Sequence, residues 1–339
     1  MTKDLINELV SNAQFPQSCS FPELIETHIS WVIVCDCFVY KIKKPMHYSF
    51  LDFSTLEKRK YYCEREVELN KRLTVDIYLD VLPVKKTSSG IFIGNGEGKV
   101  IDYAVKMRKL ERSKQMDILL SENKVTRSDI QNLAESIANF HKKADIIYEK
   151  NFLDVQKMFN DLEAEKIYLS KNLNTNSGII ISHALANSDR FIERNKELLA
   201  ARLKAGFFRD CHGDLHSRNI FLFPSPQPFD RLEFNDDYRQ IDVLNDVAFL
   251  CMDLDAFGKK NFSGLFVNCY NKLFPSIKTD DDRRLFIYYK SYRANIRAKV
   301  NSLRARSTTD DAERVSALAE SEKYLHLMDG YMKELETGF

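Results

Sequence analysis

The chain has no apolar run near the ~18 residues that a membrane-crossing helix needs. Charge of one sign is missing as well: 50 Lys and Arg offset 49 Asp and Glu for a net of +1, and 44% of the 339 residues are hydrophobic. That balance argues against nucleic-acid binding through bulk charge and against a disordered chain. Met1–Val10 mixes acidic, basic and amide residues, so neither a secretory signal nor a transit peptide is expected there. The seven cysteines (19, 35, 37, 63, 211, 251 and 269) form no Cys-x-x-Cys, and six lie in or beside apolar or aromatic runs, as small core residues do. Cys35-x-Cys37 has no second Cys or His pair to complete a metal site, and a reducing cytoplasm is the expected location. Between residues 25 and 40 there is no Gly-x-Gly-x-x-Gly. The stretch Gly94-Asn95-Gly96-Glu97-Gly98 opens no helix and lacks a Lys-Ser ending, so it reads as a turn between strands.

What is present centres on Asp210-Cys211-His212-Gly213-Asp214-Leu215-His216-Ser217-Arg218-Asn219, followed by the apolar Ile220–Phe223. An Asp, an Asn five residues on, and then the acidic segment Leu232-Glu233-Phe234-Asn235-Asp236-Asp237 is the layout of a phosphoryl-transfer site. Asp214 would take the proton of an attacking hydroxyl, Asn219 would hold a Mg²⁺ on ATP, and a carboxylate of the acidic segment would hold the same or a second ion. Base and metal ligand must converge within a few ångströms, so the loop has to turn sharply. Gly213 permits that turn, and a strand over Ile220–Phe223 anchors its far end.

His-Gly-Asp-Leu-His-x-x-Asn resembles the catalytic loop of the aminoglycoside phosphotransferase and choline kinase family. More closely, the chain resembles uncharacterised bacterial aminoglycoside phosphotransferase-like proteins. It shares with them Glu-Thr-His-Ile-Ser-Trp (26–31), Tyr-Lys-Ile-Lys-Lys-Pro (40–45), Leu-Asp-Phe-Ser-Thr-Leu-Glu-Lys-Arg (51–59) and Glu-Phe-Asn-Asp (233–236). The resemblance covers roughly residues 24–305. It implies an α+β, bilobal protein-kinase-like fold: an N-lobe (1–107) with a small antiparallel sheet and one long helix, and a mostly helical C-lobe (108–339). A hairpin of Thr27–Val34 and Phe38–Ile42 suits that N-lobe, with Val39, Lys41 and Lys43 on one face and Tyr40 and Ile42 on the other. By the resemblance a lysine of the second strand grips the ATP phosphates. Either Lys41 or Lys43 could point into the cleft and take that role; Lys41 is favoured, and the plainer reading of Lys43 and Lys44 is an exposed strand lysine. Glu66, on a helix over about 55–73, would pair with that lysine, with Glu64 and Glu68 as alternatives. Strands over Val81–Val84, Gly90–Ile93 and Ile101–Met107 complete the sheet. The backbone of Tyr103–Met107, Tyr103 and Val105 included, would meet the adenine edge. His212 would buttress the catalytic loop. The metal carboxylate would be Glu233, with Asp236 second, and Asp246 would cap a helix or brace a loop.

Further helices read over Thr126–Lys143, 150–172 and 183–205, with the apolar Ile179–Ile181 between the last two. His141 reads as a packing or dipole partner, and Asp253 and Asp255 as structural or substrate-facing. A C-terminal helix, about Asp282–Arg304, carries Arg293 and Arg297 one turn apart. They could attract an anionic substrate, although the plainer reading is a solvated basic helix. The expected function is an ATP- and Mg²⁺-dependent kinase acting on a hydroxyl of a small, possibly anionic molecule, with no nucleic-acid or membrane partner. The alternatives are a protein Ser/Thr kinase and a catalytically silent nucleotide-binding module.

Overall fold

The computed structural model describes residues 1–12, 14–48 and 51–337. Two compact units emerge: Met1–Leu119 with Arg218–Tyr238, and Leu120–Ser217 with Arg239 onward. Residues 218–238 therefore belong with the N-terminal part of the chain.

The first unit is built on β1 (Glu23–Glu26), β2 (Ser30–Val34), β3 (Phe38–Lys43), the short pair β4 (His47–Tyr48) and β5 (Leu51–Asp52), β6 (Tyr78–Thr87), β7 (Gly90–Ile93) and β8 (Lys99–Arg108). Six of these form one antiparallel sheet in the order β1-β2-β3-β8-β6-β7. The expected first strand starts later, at Ser30, because Thr27 turns the chain: its hydroxyl both donates to Ser30 O and accepts from Ser30 N, each at 2.9 Å. Gly94, Gly96 and Gly98 carry positive φ in the β7–β8 turn, a conformation that L side chains resist.

Strand alternation gives the sheet two differently covered faces. Trp31, Ile33, Tyr40 and Ile42 bury against Ile6 and Leu9 of α1 (Lys3–Asn12). On the opposite face Val39, Val105 and Met107 meet Cys63 and Val67 of α2 (Leu56–Asn70). Helix α2 starts where Thr55 Oγ1 accepts from Lys58 N, which satisfies one of the orphan amides of the first turn. Cys19 and Cys35, sixteen positions apart, form a disulfide that no Cys-x-x-Cys or other motif in the sequence signals.

Helix α3 (Met116–Ser121) lies where the units divide. The second unit holds α4 (Arg127–Lys143), α5 (Asp154–Asn160), α6 (Lys166–Asn172), α7 (Thr175–Arg194) and α8 (Lys196–Lys204). The one-turn α9 (Asp236–Arg239) starts in the first unit and ends at the first residue of the resumed second, which continues with α10 (Val243–Ala256), α11 (Lys260–Leu273), α12 (Asp280–Ser307) and α13 (Asp311–Thr337). Thr126 and Asp129 close a capping box at the start of α4, and Thr279 and Asp282 close one on α12. Two helical expectations change. Residues 150–172 are broken by a 3₁₀ stretch at Asp161–Glu165, and Ile179–Ile181 lies inside α7, which begins at its Asn174 cap and ends at Arg194. Arg202 ties the unit together: its guanidinium grips both oxygens of Asp242, which caps α10, together with Asp282 Oδ1 and Ser276 O. A buried arginine satisfied in this way is held by geometry as well as charge.

Candidate active site

In the first unit the alternation of β3 sends Lys41 and Lys43 to the α2 face, and both reach Glu66. Lys41 Nζ lies 2.9 Å from Glu66 Oε1, and Lys43 Nζ 2.6 Å from Glu66 Oε2. Each lysine holds a second carboxylate from the segment 218–238: Asp230 Oδ1 at 2.7 Å from Lys41, and Glu233 Oε1 against Lys43. Glu64 and Glu68, the alternatives on α2, instead make helix-surface pairs with Lys60 and Arg72. Lys43 is fully buried, over the ring of Phe53, which corrects its reading as an exposed lysine. Only a buried carboxylate pair makes such burial tolerable. Lys41 keeps 14% of its side chain open, and Asp230 keeps 40%.

Burial pushes Glu66 up, but two ammonium groups outweigh it and hold the carboxyl low. Glu233 is governed by its burial, with Lys43 opposing and the charge of Glu66 adding, and its carboxyl ends above the ordinary range. Glu66 is hydrogen-bonded to both ammonium groups, whereas Glu233 is bonded to Lys43 and feels Lys41 only through its charge. Both lysines remain charged, since burial is outweighed at Lys41 by Asp230 and Glu66, and at Lys43 by Glu233 and Glu66.

In the second unit the strand Phe208–Asp210 leads into the loop, and Gly213, at φ +85°, makes the turn that sequence reasoning required. Asp246 of α10 takes the amides of His212 (3.1 Å) and Gly213 (2.9 Å) and lies 3.1 Å from His141 Nε2. His141 Nδ1 in turn is hydrogen-bonded to Tyr270 Oη at 2.7 Å, so this histidine is a structural link. Two turns along the same face of α10, Asp253 Oδ2 takes both the amide and the hydroxyl of Ser217, at 2.8 and 2.5 Å. The loop is thus pinned just before and just after Asp214. Arg293 completes the clamp by donating to Gly213 O at 3.0 Å while its Nε holds Asn245.

Asp214 itself keeps 39% of its side chain exposed and lies 3.3 Å from His216 Nε2. Its amide donates to His212 Nδ1 at 3.3 Å, which gives His212 the buttressing position expected of it. Desolvation pushes the Asp214 carboxyl up, but the charges of His216, His212 and Arg297 outweigh this and hold it well below the usual range. An ionised carboxylate on a fixed loop can orient a hydroxyl and accept its proton.

Several expected roles are changed. The backbone of Tyr103 and Val105 lies in the central strand β8, in register with Pro83 and Val81 of β6, and Val105 also faces Lys41 of β3. Val105, engaged in the ladder on both sides, has no backbone group left for an adenine edge, whereas Tyr103 is paired on the β6 side alone and its N–H donates to Asp102 Oδ1 at 3.0 Å. Asp236, second choice for the metal, is exposed and meets Arg65 at 2.9 Å. Arg293 is buried against the loop, so it cannot face a substrate. On α12 Lys290 is largely enclosed against Asp255, while Lys299, Arg304 and Arg306 stay partly exposed, as the solvated reading expects, each paired with a carboxylate: Asp161, Glu313 and Glu165. Asn219 is buried at the end of a 3₁₀ turn, its carbonyl taken by Phe229 N at 2.9 Å. Sequence reasoning missed Asp230. Its φ of +60° is one that Asp tolerates better than most residues, and its place three residues before Glu233 in an acidic segment was the available signal.

No family model matches the sequence. Uncharacterised proteins of Mycobacterium tuberculosis and Mycobacterium bovis are 30% identical over 295 residues, which is 84% of this chain, and the chain spans only 55% of their length. Among solved structures, a spectinomycin phosphotransferase in complex with ADP and spectinomycin superposes with a TM-score of 0.54 at 10% identity, covering 100% of this chain and 99% of that one. A GDP complex of an aminoglycoside 2'-phosphotransferase gives 0.52 at 13% identity (95% and 96% covered). A choline/ethanolamine kinase family protein from Mesorhizobium loti gives 0.51 at 14% (97% and 100%). The chain therefore has the protein-kinase-like fold of the aminoglycoside phosphotransferases and choline/ethanolamine kinases, as the catalytic loop led one to expect.

Proposed function

We propose that this chain, with its protein-kinase-like fold, is an ATP-dependent phosphotransferase that moves the γ-phosphoryl group to a hydroxyl of a small molecule. The observation that carries the reading is the ionised Asp214 on a loop pinned by Asp246, Asp253 and Arg293. In the reaction the acceptor O–H bond breaks and its proton passes to Asp214. The oxygen's electron pair forms the new bond to the γ-phosphorus, and the bond to the β–γ bridging oxygen breaks, releasing ADP. Lys41, the more open of the two strand lysines, receives phosphate charge, while Glu66 keeps its ammonium in place. His212 and His216 position the loop and the base.

A divalent cation fits the donor set. Asn219 and Glu233 offer hard oxygen donors, and the cluster of two lysines with Glu66, Asp230 and Glu233 carries one more negative than positive charge. Mg²⁺ held by Asn219 and Glu233 would supply charge neutralisation for the phosphates. The proposed setting is the cytoplasm, where the Cys19–Cys35 disulfide would have to persist against reduction. No helix among the described residues is long and apolar enough to cross a membrane.

The test is a thermal-shift titration with a non-hydrolysable ATP analogue, with and without Mg²⁺. Mg²⁺-dependent stabilisation is expected in the wild type and in Asp214→Asn. Phosphoryl transfer to metabolites of a lysate should fall by about 10²–10⁴-fold in Asp214→Asn. Labelled phosphate appearing in protein bands and not in small molecules would move the reading to a protein kinase.

A further inference from the structure

The two arginines of α12 have separate fates. Arg293 is buried, donates to Gly213 and Asn245, and lies over the ring of Phe249 at 4.7 Å. Arg297, one turn further along the helix, is only partly buried, and its Nε is enclosed with no hydrogen-bond partner. Its guanidinium stands 5.4 Å over the ring of Tyr324 on α13, and its charge reaches Asp214 and Asp253. Asp253 has its oxygens engaged by Ser217 and by Tyr324 Oη at 3.3 Å. A partly exposed arginine, steadied by a hydrogen bond with Tyr324 and carrying its charge beside the proposed base while Asp253 is engaged by Ser217 and Tyr324, offers positive charge to an oxyanion at that place.

We propose that Arg297 is the specificity-determining residue for the phosphoryl acceptor, and that the acceptor carries a carboxylate or phosphate group, bound by Arg297, besides the hydroxyl that Asp214 orients. This rests on the phosphotransferase reading above. It narrows the substrate to hydroxy acids and phosphorylated alcohols, and it sets aside cationic acceptors, because an ammonium group would meet the Arg297 charge instead of a carboxylate. The planar fork of an arginine suits either oxyanion, so the two anionic sources share one chemistry.

The test uses the full chain and three probes in thermal-shift and calorimetric titrations: inorganic phosphate, D-glycerate and choline, at constant ionic strength. Phosphate or glycerate should bind the wild type, at least tenfold more weakly in Arg297→Gln, and with an intermediate loss in Arg297→Lys, which retains the charge. Lys41→Gln should leave this binding in place, since phosphate lost there would report the nucleotide lysine instead. Choline should give no stabilisation. Equal binding of the oxyanions by wild type and Arg297→Gln, loss in Lys41→Gln alone, or stabilisation by choline and not by the anions would each overturn the proposal.

Repeating the titration with a saturating non-hydrolysable ATP analogue and Mg²⁺ separates acceptor from nucleotide. Binding of glycerate on top of the analogue supports an acceptor site, whereas competition would assign Arg297 to the transferred phosphoryl group and overturn it. Should the analogue fail to bind at all, the phosphotransferase reading falls, while the nucleotide-free titrations still report whether Arg297 binds an oxyanion. Unfolded Arg297→Gln would be recognised from its own melting curve, and Arg297→Lys then carries the comparison.

Discussion

The two charged groups of this protein use their carboxylates in opposite ways. In the first unit Glu66, Asp230 and Glu233 hold side-chain ammonium groups. Such bonds can be exchanged for a phosphate or a cation without disturbing the backbone. In the second unit Asp246 and Asp253 hold backbone amides, and Arg293 holds a backbone carbonyl. Those bonds define the path of the loop and have no substitute. On the proposed function the first group would change partners and the second would stay fixed. Phosphoryl transfer asks for both, since charge arrives with the nucleotide while the base must already be in place.

Breaking the fixed group should therefore have the largest effect. Asp246→Ala leaves two buried amides and the His141 ring without their acceptor, and it is expected to lower unfolding stability by about 3–5 kcal/mol, measured in urea. The same carboxylate should mark the acid limb. Burial works to raise its pKa, but hydrogen bonding to His141 and the charges of His141, His212 and Arg293 bring it from 3.8 to about 2. With the folded value below the unfolded one, its contribution is complete above pH ~4 and fades as pH falls toward 2. Unfolding midpoints of Asp246→Asn followed over that interval should show a flatter pH dependence than the wild type. An equal slope would mean that other carboxylates govern the acid limb.

How much of this could be read in the sequence divides along the same line. Local features were legible: the Gly213 turn, the Thr126 cap and the alternation of β3 each need only short-range rules, whereas Glu66, 25 residues from Lys41, was reached through the family resemblance. The bracing of the loop was legible only in part. Asp246 could be named as a capping or bracing residue, but its amide partners lie 33 and 34 residues away. Gly213 and Arg293 lie 80 residues apart, and no periodicity on α12 distinguishes a guanidinium that ends on a carbonyl from one that faces solvent. Lys43 was misread for a related reason. Strand alternation gives the face but not the depth, and its burial depends on Glu233, 190 positions on. The break inside 150–172 escaped because a 3₁₀ stretch keeps nearly the same apolar spacing as an α-helix.

Within the exchangeable group the two lysines should separate. Lys43→Met leaves Glu233 buried without its ammonium partner and removes one of two from Glu66, so a loss of about 2–4 kcal/mol is expected. Lys41→Met leaves Glu66 with Lys43, and Asp230 can turn to water. Stability should then change by about 1 kcal/mol or less, while the affinity for Mg²⁺-bound ATP analogue falls tenfold or more. If Lys43→Met weakens nucleotide binding more than it weakens the fold, the assignment of the two lysines is reversed.

The smallest effect concerns Asp236, and it sharpens the contrast most narrowly. Its pair with Arg65 is exposed on both sides, 23% and 49%, and exposed pairs contribute about 0–1 kcal/mol. Asp236→Ala should leave the urea midpoint nearly unmoved and should not alter the Mg²⁺ concentration that half-saturates nucleotide stabilisation. Glu233→Gln should raise that concentration about tenfold or more, yet shift stability only slightly, because Lys43 keeps Glu66 and a burial-penalised carboxylate is replaced by an amide that can still accept from the same ammonium. The two variants lie three residues apart in one acidic segment and differ only in whether the carboxylate is committed to the surface or to the buried lysine. A larger Mg²⁺ effect at Asp236 would place the cation on the surface side and leave Glu233 as a purely structural partner of Lys43.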